Sequence, residues 1–548
     1  MKKRDKRKMK RRAAAEAVNA GAGAPAATAA PAATDKPERA GLNVHALPTG
    51  LRRGFRNIGY GDHAASRTKK SLAGFTSRSY SPYRDILPFL RELRSRSRQL
   101  YIGAPIACAA LRALRTNVIG RGLRLHVKPD ADALGMSAAD AAAWGRKVEA
   151  AFQLWAGSRS CDFMGMHTFR ELQQVAFLSM LQSGDAFCLF RAGKPTAWQP
   201  DELRLQLLEA DRVCTENGTT CVQVPCGVEL ENGNRVFDGV EISKSGGVAA
   251  YWIADKHPAD GMDLTWKRVP ARGAKTGAPN VLHLMHAERP EQLRGVPFIS
   301  VALEPVLQLG RYLNAEEVAA LMETYMTGYI TTEQADTPIM GNMGLADDEN
   351  GEDAERDIAA LEPEPGAVHQ LLPGEKITFN DPKRPGSQFD PFVTAVCKQI
   401  GAALEIPVDV LLKSYNSSYS ASRAAMMDFW KTVTMYREWF VNDFCMPVYT
   451  EWLTQAVASG RIKADGFFAD AMKRHAWLGQ EWTGSACLQL DPVKEVKAMQ
   501  MQVEMGWMTN EQATHQLTGG DFTDNIMQLQ QENKQHGRAT TEQVEAGD

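Results

Sequence analysis

From Val296 to about Met326, apolar residues return at helical spacing: Ile299, Leu303, Val306, Leu313, Leu321 and Tyr325. With a bend allowed at Pro305, this stretch would span roughly 45 Å at 1.5 Å per residue. That is long for a globular domain, and a single subunit could hardly bury such a helix alone. A chain built around it is expected to assemble with copies of itself.

Two further helical patterns follow. "FVTAVCKQIGAALEI" carries Phe392, Val396, Ile400 and Leu404, and "AAMMDFWKTVTMYREWF" carries Met426, Trp430, Val433 and Phe440. Between them lies "KSYNSSYSASR", Lys413 to Arg423, with five serines, two tyrosines and an asparagine. A serine-rich loop between helices can be an active-site loop, a phosphate cradle, a hinge or a plain connection.

Upstream, "SPYRDILPFLRELRSRSRQLYIGAPIACAALRALRTNVIG" predicts two helices broken near Gly103 and Pro105, with Asn117 to Gly120 ending the second. Its five arginines between Arg84 and Arg98 fit either a DNA-facing stripe or a solvated face with pairing between subunits. From about 185 to 290 the period changes to that of strands, in "DAFCLF", "LRLQLLEA" and the hairpin-like "GVEISKSGGVAAYWI", turning at Ser245, Gly246 and Gly247. After the long helix come the acidic "DDENGEDAERD" and a Pro/Gly-rich stretch, read as solvated loops with a small α/β excursion. Helices from Asp491 to Gln531 close the pattern.

The 548 residues exceed one ordinary core, and two to four compact units are expected. No run approaches the roughly 18 apolar residues of a membrane span, and no apolar segment follows the basic N-terminus as a secretory signal requires. The chain reads as an intracellular protein without a membrane partner. Its net charge of -2 hides an asymmetry: "MKKRDKRKMKRR" holds nine Lys or Arg against one Asp, so everything after residue 12 is acidic on balance. A broadly basic nucleic-acid surface is thereby excluded for the body, and only the arm has that character. The Ala/Pro/Gly-rich stretch after it lacks the apolar content to fold, so 1–45 is expected to be a disordered tail. The nine cysteines show no framework; Cys214, Cys221 and Cys226 lack the paired short spacings of a zinc site, and buried reduced thiols are expected.

Tests for chemistry come back empty. No G-x-S-x-G elbow occurs, which removes the usual setting of a nucleophilic serine. The one Gly-Lys step, Gly193-Lys194, has Cys188 and Pro195 where a phosphate loop needs Gly and Ser or Thr. "DDENGEDAERD" does not place its glycine and acidic residues as a calcium loop does. No cofactor and no metal site are implied.

The order long helix, acidic insertion, second helix, "IGAALEIPVDVLLKSYNSSYSASRAAMMDFW" resembles the lambda-like family of tailed-phage portal proteins. The blocks "WAGSRSCDFMGMHTF", "SGDAFCLF", "LQLLEADRV", "VLHLMHAERPEQLRGVPFISVAL", "LLPGEKITF" and "DPVKEVKAMQMQVEMGWMTNEQATHQLTGGDF" agree in the same order. The similarity runs over about residues 80 to 532. It implies an α+β portal fold of wing, helical stem, α/β clip and helical crown, assembling as a dodecamer around a central channel. Mapped onto this chain, a leader at 46–79 precedes the wing at 80–294, the first stem helix at 295–327 and the clip at 328–387. The second stem helix falls at 388–405, a tunnel loop at 406–423, a long helix returning to the wing at 424–460, and crown helices and tail at 461–548. The implied DNA-channel residues are Lys413, Tyr415, Asn416, Ser418, Tyr419 and Arg423. The implied partners are double-stranded DNA, terminase, head-tail adaptor proteins and the major capsid or scaffold protein. The implied location is the portal vertex of the virion, with assembly in the host cytoplasm. On this reading the chain is no enzyme but a conduit. Its rivals are a genome-processing nuclease or packaging ATPase, and a DNA-binding capsid scaffold acting through the arm.

Overall fold

The computed structural model describes residues 65–66, 69–72, 74–75, 77–196, 199–215, 227–261, 263–325, 329–332, 375–378, 389–415, 418–487 and 491–545. The basic arm, the Ala/Pro stretch and the acidic insertion lie outside these residues, as do Cys221 and Cys226. The chain divides into two units, Met1–Arg78 and Ser79–Asp548. The described part of the first holds a short 3-10 turn at Lys70–Leu72.

In the second unit, α1 (Pro82–Ile86), α2 (Leu90–Gly103) and α3 (Pro105–Val118) come first. The break between α2 and α3 falls where the sequence puts it, because Pro105 starts a helix more readily than it continues one. Strand β1 (Arg124–Val127), α4 (Ala131–Leu134), α5 (Ala138–Gly157) and α6 (Phe169–Ser183) follow. Thr168 and Glu171 cap α6 reciprocally, each side chain accepting from the other's backbone amide.

The strand-rich region contains β2 (Asp185–Ala192), β3 (Leu203–Glu209), β4 (Val228–Glu229), β5 (Arg235–Phe237), β6 (Val240–Ile242), β7 (Val248–Ala254), β8 (Trp266–Pro270) and β9 (Val281–Met285). They form a three-stranded antiparallel sheet in the order β3-β2-β9 and a five-stranded meander from β4 to β8. The predicted hairpin is β6-β7, turned through Ser243–Gly247, where the Ser243 amide donates to the Gly247 carbonyl. Strand β2 is buried on both faces. Ala186 and Cys188 join the main helical core, while Phe187 and Leu189 join a second core with Val213, Val240, Tyr251, Ile253 and Val281 beneath the meander.

The long helical pattern resolves into a 3-10 segment, Phe298–Ala302, and α7 (Leu303–Tyr325). No bend is needed at Pro305, since it lies in the first turn of α7, where a missing N–H breaks no helical hydrogen bond. The α-helix proper is 23 residues, about 34 Å long rather than 45 Å. Strands β10 (Tyr329–Thr332) and β11 (Glu375–Thr378) pair antiparallel and so bring together the two ends of the intervening insertion.

Next come α8 (Phe389–Ala403), α9 (Val408–Leu412), α10 (Tyr419–Phe440) and α11 (Met446–Ala458). The long helix expected over 424–460 is α10 and α11 run together, with a π turn at Val441–Cys445 between them. Pro447 has no N–H to offer the Asp443 carbonyl, so the regular ladder cannot run through this point. Helix α12 (Ala471–Trp477) leads to β12 (Gln480–Thr483), which pairs with β1 from Arg124↔Thr483 to Val127↔Gln480. Residues 461–484 therefore fold with the body rather than as part of a separate C-terminal helical unit. Helices α13 (Pro492–Glu504), α14 (Asn510–Thr518) and α15 (Phe522–Glu545) complete the chain and pack on one another in sequence order.

The main core draws on both ends of the unit. Phe152 on α5 meets Phe169, Tyr449, Trp452 and Trp482 edge-on, with ring centroids 5.1 to 6.0 Å apart. Five described cysteines, Cys161, Cys188, Cys214, Cys397 and Cys445, are buried free thiols, as expected for them. Among the described residues no helix is long and apolar enough to cross a membrane.

Candidate functional site

The serine loop is shorter than the 406–423 expected of it, because helices occupy both of its ends. Helix α8 ends in a tight reversal: Glu405 adopts φ 53°, and the Ile406 amide donates back to the Gly401 carbonyl at 2.8 Å. A Cβ on Gly401 would sit 2.5 Å from the Ile406 carbonyl oxygen, so glycine is required there. The chain then enters α9, whose Val410 and Leu411 are buried and pack across α3. Between the two helices the described residues are Lys413–Tyr415 and Ser418.

Lys413 caps α9 in the left-handed region, φ 52° and ψ 36°, and its amide donates to the Asp409 carbonyl. Its side chain is exposed, and Tyr415 is 60% exposed. Ser418 is the exposed N-cap of α10, with its hydroxyl 3.4 Å from that of Ser420. Asn416 and the side chain of Tyr419 lie outside the described residues. Arg423 turns away from the other cation: its guanidinium lies 4.0 Å from Glu495 on α13. Lys413, Tyr415 and Ser418 are thus all exposed, and Arg423 is tied to the C-terminal helices.

The support beneath the tip is uneven. Helix α10 buries nothing before Phe429 among its described side chains, and its first apolar contact with the core is the half-buried Met426. Leu412 and Met427 stay exposed on either side of the loop. Between Lys413 and Arg423 the sequence has no other charged residue, and Arg423 is engaged by Glu495, so the tip is not a basic patch.

Helices α7 and α8 lie side by side, with the Tyr312 ring 4.9 Å from Phe392 and 5.9 Å from Phe389. Beyond Leu309, no described side chain of α7 is buried. Val301, Leu307, Leu313, Val318 and Leu321 are exposed, as is Phe392 on α8. Among the described residues these apolar side chains stay exposed, Leu307 and Val318 on one face of α7.

The base of α7 is fixed by a buried ionic hub that the sequence did not announce. Asp185, at the start of β2, accepts from Arg94 Nη2 at 2.9 Å, Arg294 Nε at 2.6 Å and the Gly295 amide at 3.2 Å, and His283 Nε2 is 3.3 Å away. Arg294 also donates to the carbonyls of Val213 and Ala210, each at 2.8 Å, and to Asp238 Oδ2 at 2.9 Å. Burial alone would raise the Asp185 pKa, but Arg294 and Arg94 hold it well below the carboxylate range. Gly184 and Gly295 touch backbone to backbone, and a Cβ on either would collide with the other's carbonyl. The arginine-rich helix finds its use here. Arg94 is buried in the hub, and Arg98 pairs with Asp211 at 2.5 Å and donates to Ser183, so neither belongs to a DNA stripe or a solvated face.

One group of described side chains approaches metal-ligand spacing, Glu209, Asp211 and His257, with ligand atoms within 4.8 Å of one another. His257 Nδ1 accepts from the Ala259 amide at 3.1 Å, which leaves the ring proton on Nε2, facing Glu209 and Asp211 at 3.6 and 3.7 Å. With Arg98 also on Asp211, this donor set fits an ion-pair cluster better than a metal site.

Residues 68–437 match the family described as phage portal protein, lambda family. The chain is similar to the portal protein of Escherichia phage N15, at 25% identity over 80% of this chain and 83% of that one. It is similar to portal protein B of Escherichia phage lambda at 23% identity, covering 78% and 80%. A probable portal protein of Halomonas phage phiHAP-1 is 25% identical over 75% and 74%. Among solved structures, a chain from the neck of a native gene transfer agent particle, computed with C12 symmetry, aligns over 78% of this chain and 93% of its own. That superposition is loose, with a TM-score of 0.41 at 14% identity.

Proposed function

Since the chain belongs to the lambda family of phage portal proteins, we propose that its copies close into a dodecameric ring at one capsid vertex, around a channel through which DNA is packaged and ejected. On this reading α7 and α8 are the stem, 328–387 is the clip, and 80–294 forms the wing. Lys413–Ser418 is the loop that meets the duplex. The ring is a conduit: a separate terminase supplies the work, head-tail adaptors dock after packaging, and contacts with capsid or scaffold protein seat the ring in the shell. Assembly would take place in the host cytoplasm, before the ring becomes part of the virion.

The observation that carries this reading is the exposure, among the described residues, of Leu307 and Val318, which lie eleven residues apart and so on one face of α7. Apolar side chains exposed along one helix face are costly in water, and the cost is relieved when a neighbouring copy covers them. The sparse charge of the loop supports the channel assignment: Lys413–Arg423 carries two cations, one of them already engaged by Glu495, and a polyanion slides past a surface that neutralises few phosphates and stalls on one that neutralises many.

The test is the paired variant Val318→Glu/Leu321→Glu, imaged by negative stain and sized by light scattering. Wild-type protein is expected to form rings without nucleotide. The variant is expected to stay a folded monomer, since exposed substitutions cost about 0.5 kcal/mol or less. Rings of normal yield from the variant would remove these side chains from the subunit interface, and a monomeric wild type would remove the ring.

A further inference from the structure

The C-terminal unit, α13 to α15, is joined to the body differently from every other part of the fold. None of its apolar side chains belongs to the main core or packs against it, and Ala513 is the one buried apolar residue among its described positions. The contacts that seat it are polar. Lys128, on the chain leaving β1, lies between Glu481 of β12 at 2.5 Å and Glu511 of α14 at 2.6 Å. Arg423 of the loop helix faces Glu495 of α13 at 4.0 Å, and the His126 ring is 3.6 Å from Asp521. Between ribbon and unit a cavity of about 260 Å³ remains open, lined by His126, Lys128, Glu481, Glu511, His515 and Asp521. His515 Nε2 is buried there without a hydrogen-bond partner.

The polarity runs one way. In each of the two permanently charged contacts the body supplies the cation and the unit the carboxylate, and 492–545 carries eight acidic residues against four Lys or Arg. Half-exposed pairs of this kind are screened by salt, whereas an apolar interface is strengthened or left unchanged by it. We propose that residues 492–545 are an electrostatically latched unit that undocks from the body as one piece when these pairs are screened or lost, while the body stays folded. Arg423 lies in the second turn of α10, so undocking also releases the exposed end of the loop helix. The proposal needs neither a ring nor a channel, and it fails or stands on its own measurement.

The experiment is amide hydrogen exchange on the full chain, following 498–504 and 510–518 against the core segments 429–440 and 446–457. Salt is raised from about 0.05 M to about 0.5 M, over which the screening length falls from above 10 Å to well below it. Exchange in α13 and α14 is expected to rise about tenfold or more, with the core segments unmoved. Lys128→Glu is expected to give the same rise at low salt. Adding Glu511→Lys to it should restore part of the protection, because the introduced lysine then faces two carboxylates, the one introduced at 128 and Glu481. Should Lys128→Glu fail to fold, Glu511→Gln removes only the bridge to the unit, and it is expected to raise exchange in α14 at low salt. Salt-independent protection, or a charge reversal that does not rescue, would overturn the latch. Light scattering on the same samples keeps the ring separate: rings that dissociate at the same salt step also overturn it, since exposure of the unit would then follow from lost subunit contacts.

Discussion

At Asp185 a single carboxylate holds together pieces of chain far apart in sequence: Arg94 on α2, His283 on β9, and Arg294 with Gly295 just ahead of α7. A buried charge is tolerable only with its partners in place, and here the partners are themselves buried charges. Replacing Asp185 with Asn keeps the shape and leaves Arg94 and Arg294 uncompensated, so it should cost about 3 to 5 kcal/mol near neutral pH. The pH dependence has a definite sign. The folded pKa is depressed below the unfolded value of about 3.9, so the stabilisation is fully present above that value and fades as pH falls beneath it. Denaturant unfolding of wild type and variant should therefore show a gap that is constant from pH 7 to about 5 and narrows below about pH 4. A gap that did not change with pH would mean that Asp185 contributes packing rather than charge. None of this was legible in the sequence. "SGDAFCLF" and "EQLRGVPF" read as a strand and a helix start, and an ion pair between Asp185 and Arg294, 109 positions apart, leaves no local pattern.

At the scale of elements the sequence was a good guide where local chemistry decides and a poor one where tertiary register does. The break before Pro105 and the β6-β7 turn at Ser245 to Gly247 are set by residues with few backbone options, and both appear where expected. The long helix expected over 424–460 runs from Tyr419 to Ala458, but periodicity cannot register the π turn within it that keeps Phe444 and Cys445 buried. Part of the loop was misread for a related reason. "PVDVLLK" is too short for helical periodicity to show, yet Val410 and Leu411 hold it down as α9, so the loop begins only at Lys413. The reversal before it makes a prediction at this scale. Gly401→Ala should force α8 away from Ile406, lowering stability by about 1 to 3 kcal/mol despite alanine's better helix propensity. Gly310→Ala on the neighbouring helix, where a Cβ would meet nothing within 4 Å, should instead be neutral or stabilising by up to about 1 kcal/mol. Thermal unfolding of the two variants side by side checks the contrast, and a stabilised Gly401→Ala would mean that the α8–α9 reversal is not the fixed support of the loop.

For the whole molecule, what one chain leaves undone is the most informative feature. Its core is closed around Phe152 and Trp452, yet among the described residues the apolar side chains Leu307 and Val318 on α7 and the tip at Tyr415 stay exposed. These belong to different elements, and a ring would answer them differently: the apolar face of α7 asks for a neighbour, while a channel loop asks for nothing but room. The two demands separate experimentally in Tyr415→Ala/Tyr419→Ala. If the loop lines the channel, truncating an exposed tyrosine costs about 0.5 kcal/mol or less, rings form at normal yield, and DNA retention or packaging falls because the groups that meet the duplex are gone. If the tyrosines are buried between subunits, each truncation leaves a cavity worth roughly 3 to 5 kcal/mol, and rings come apart before any packaging defect can be read. Ring yield and packaged DNA measured on the same preparation decide between them. Unstable rings would move the loop from the channel to the subunit interface, and normal rings with normal packaging would reduce Lys413–Ser418 to a connection between two helices.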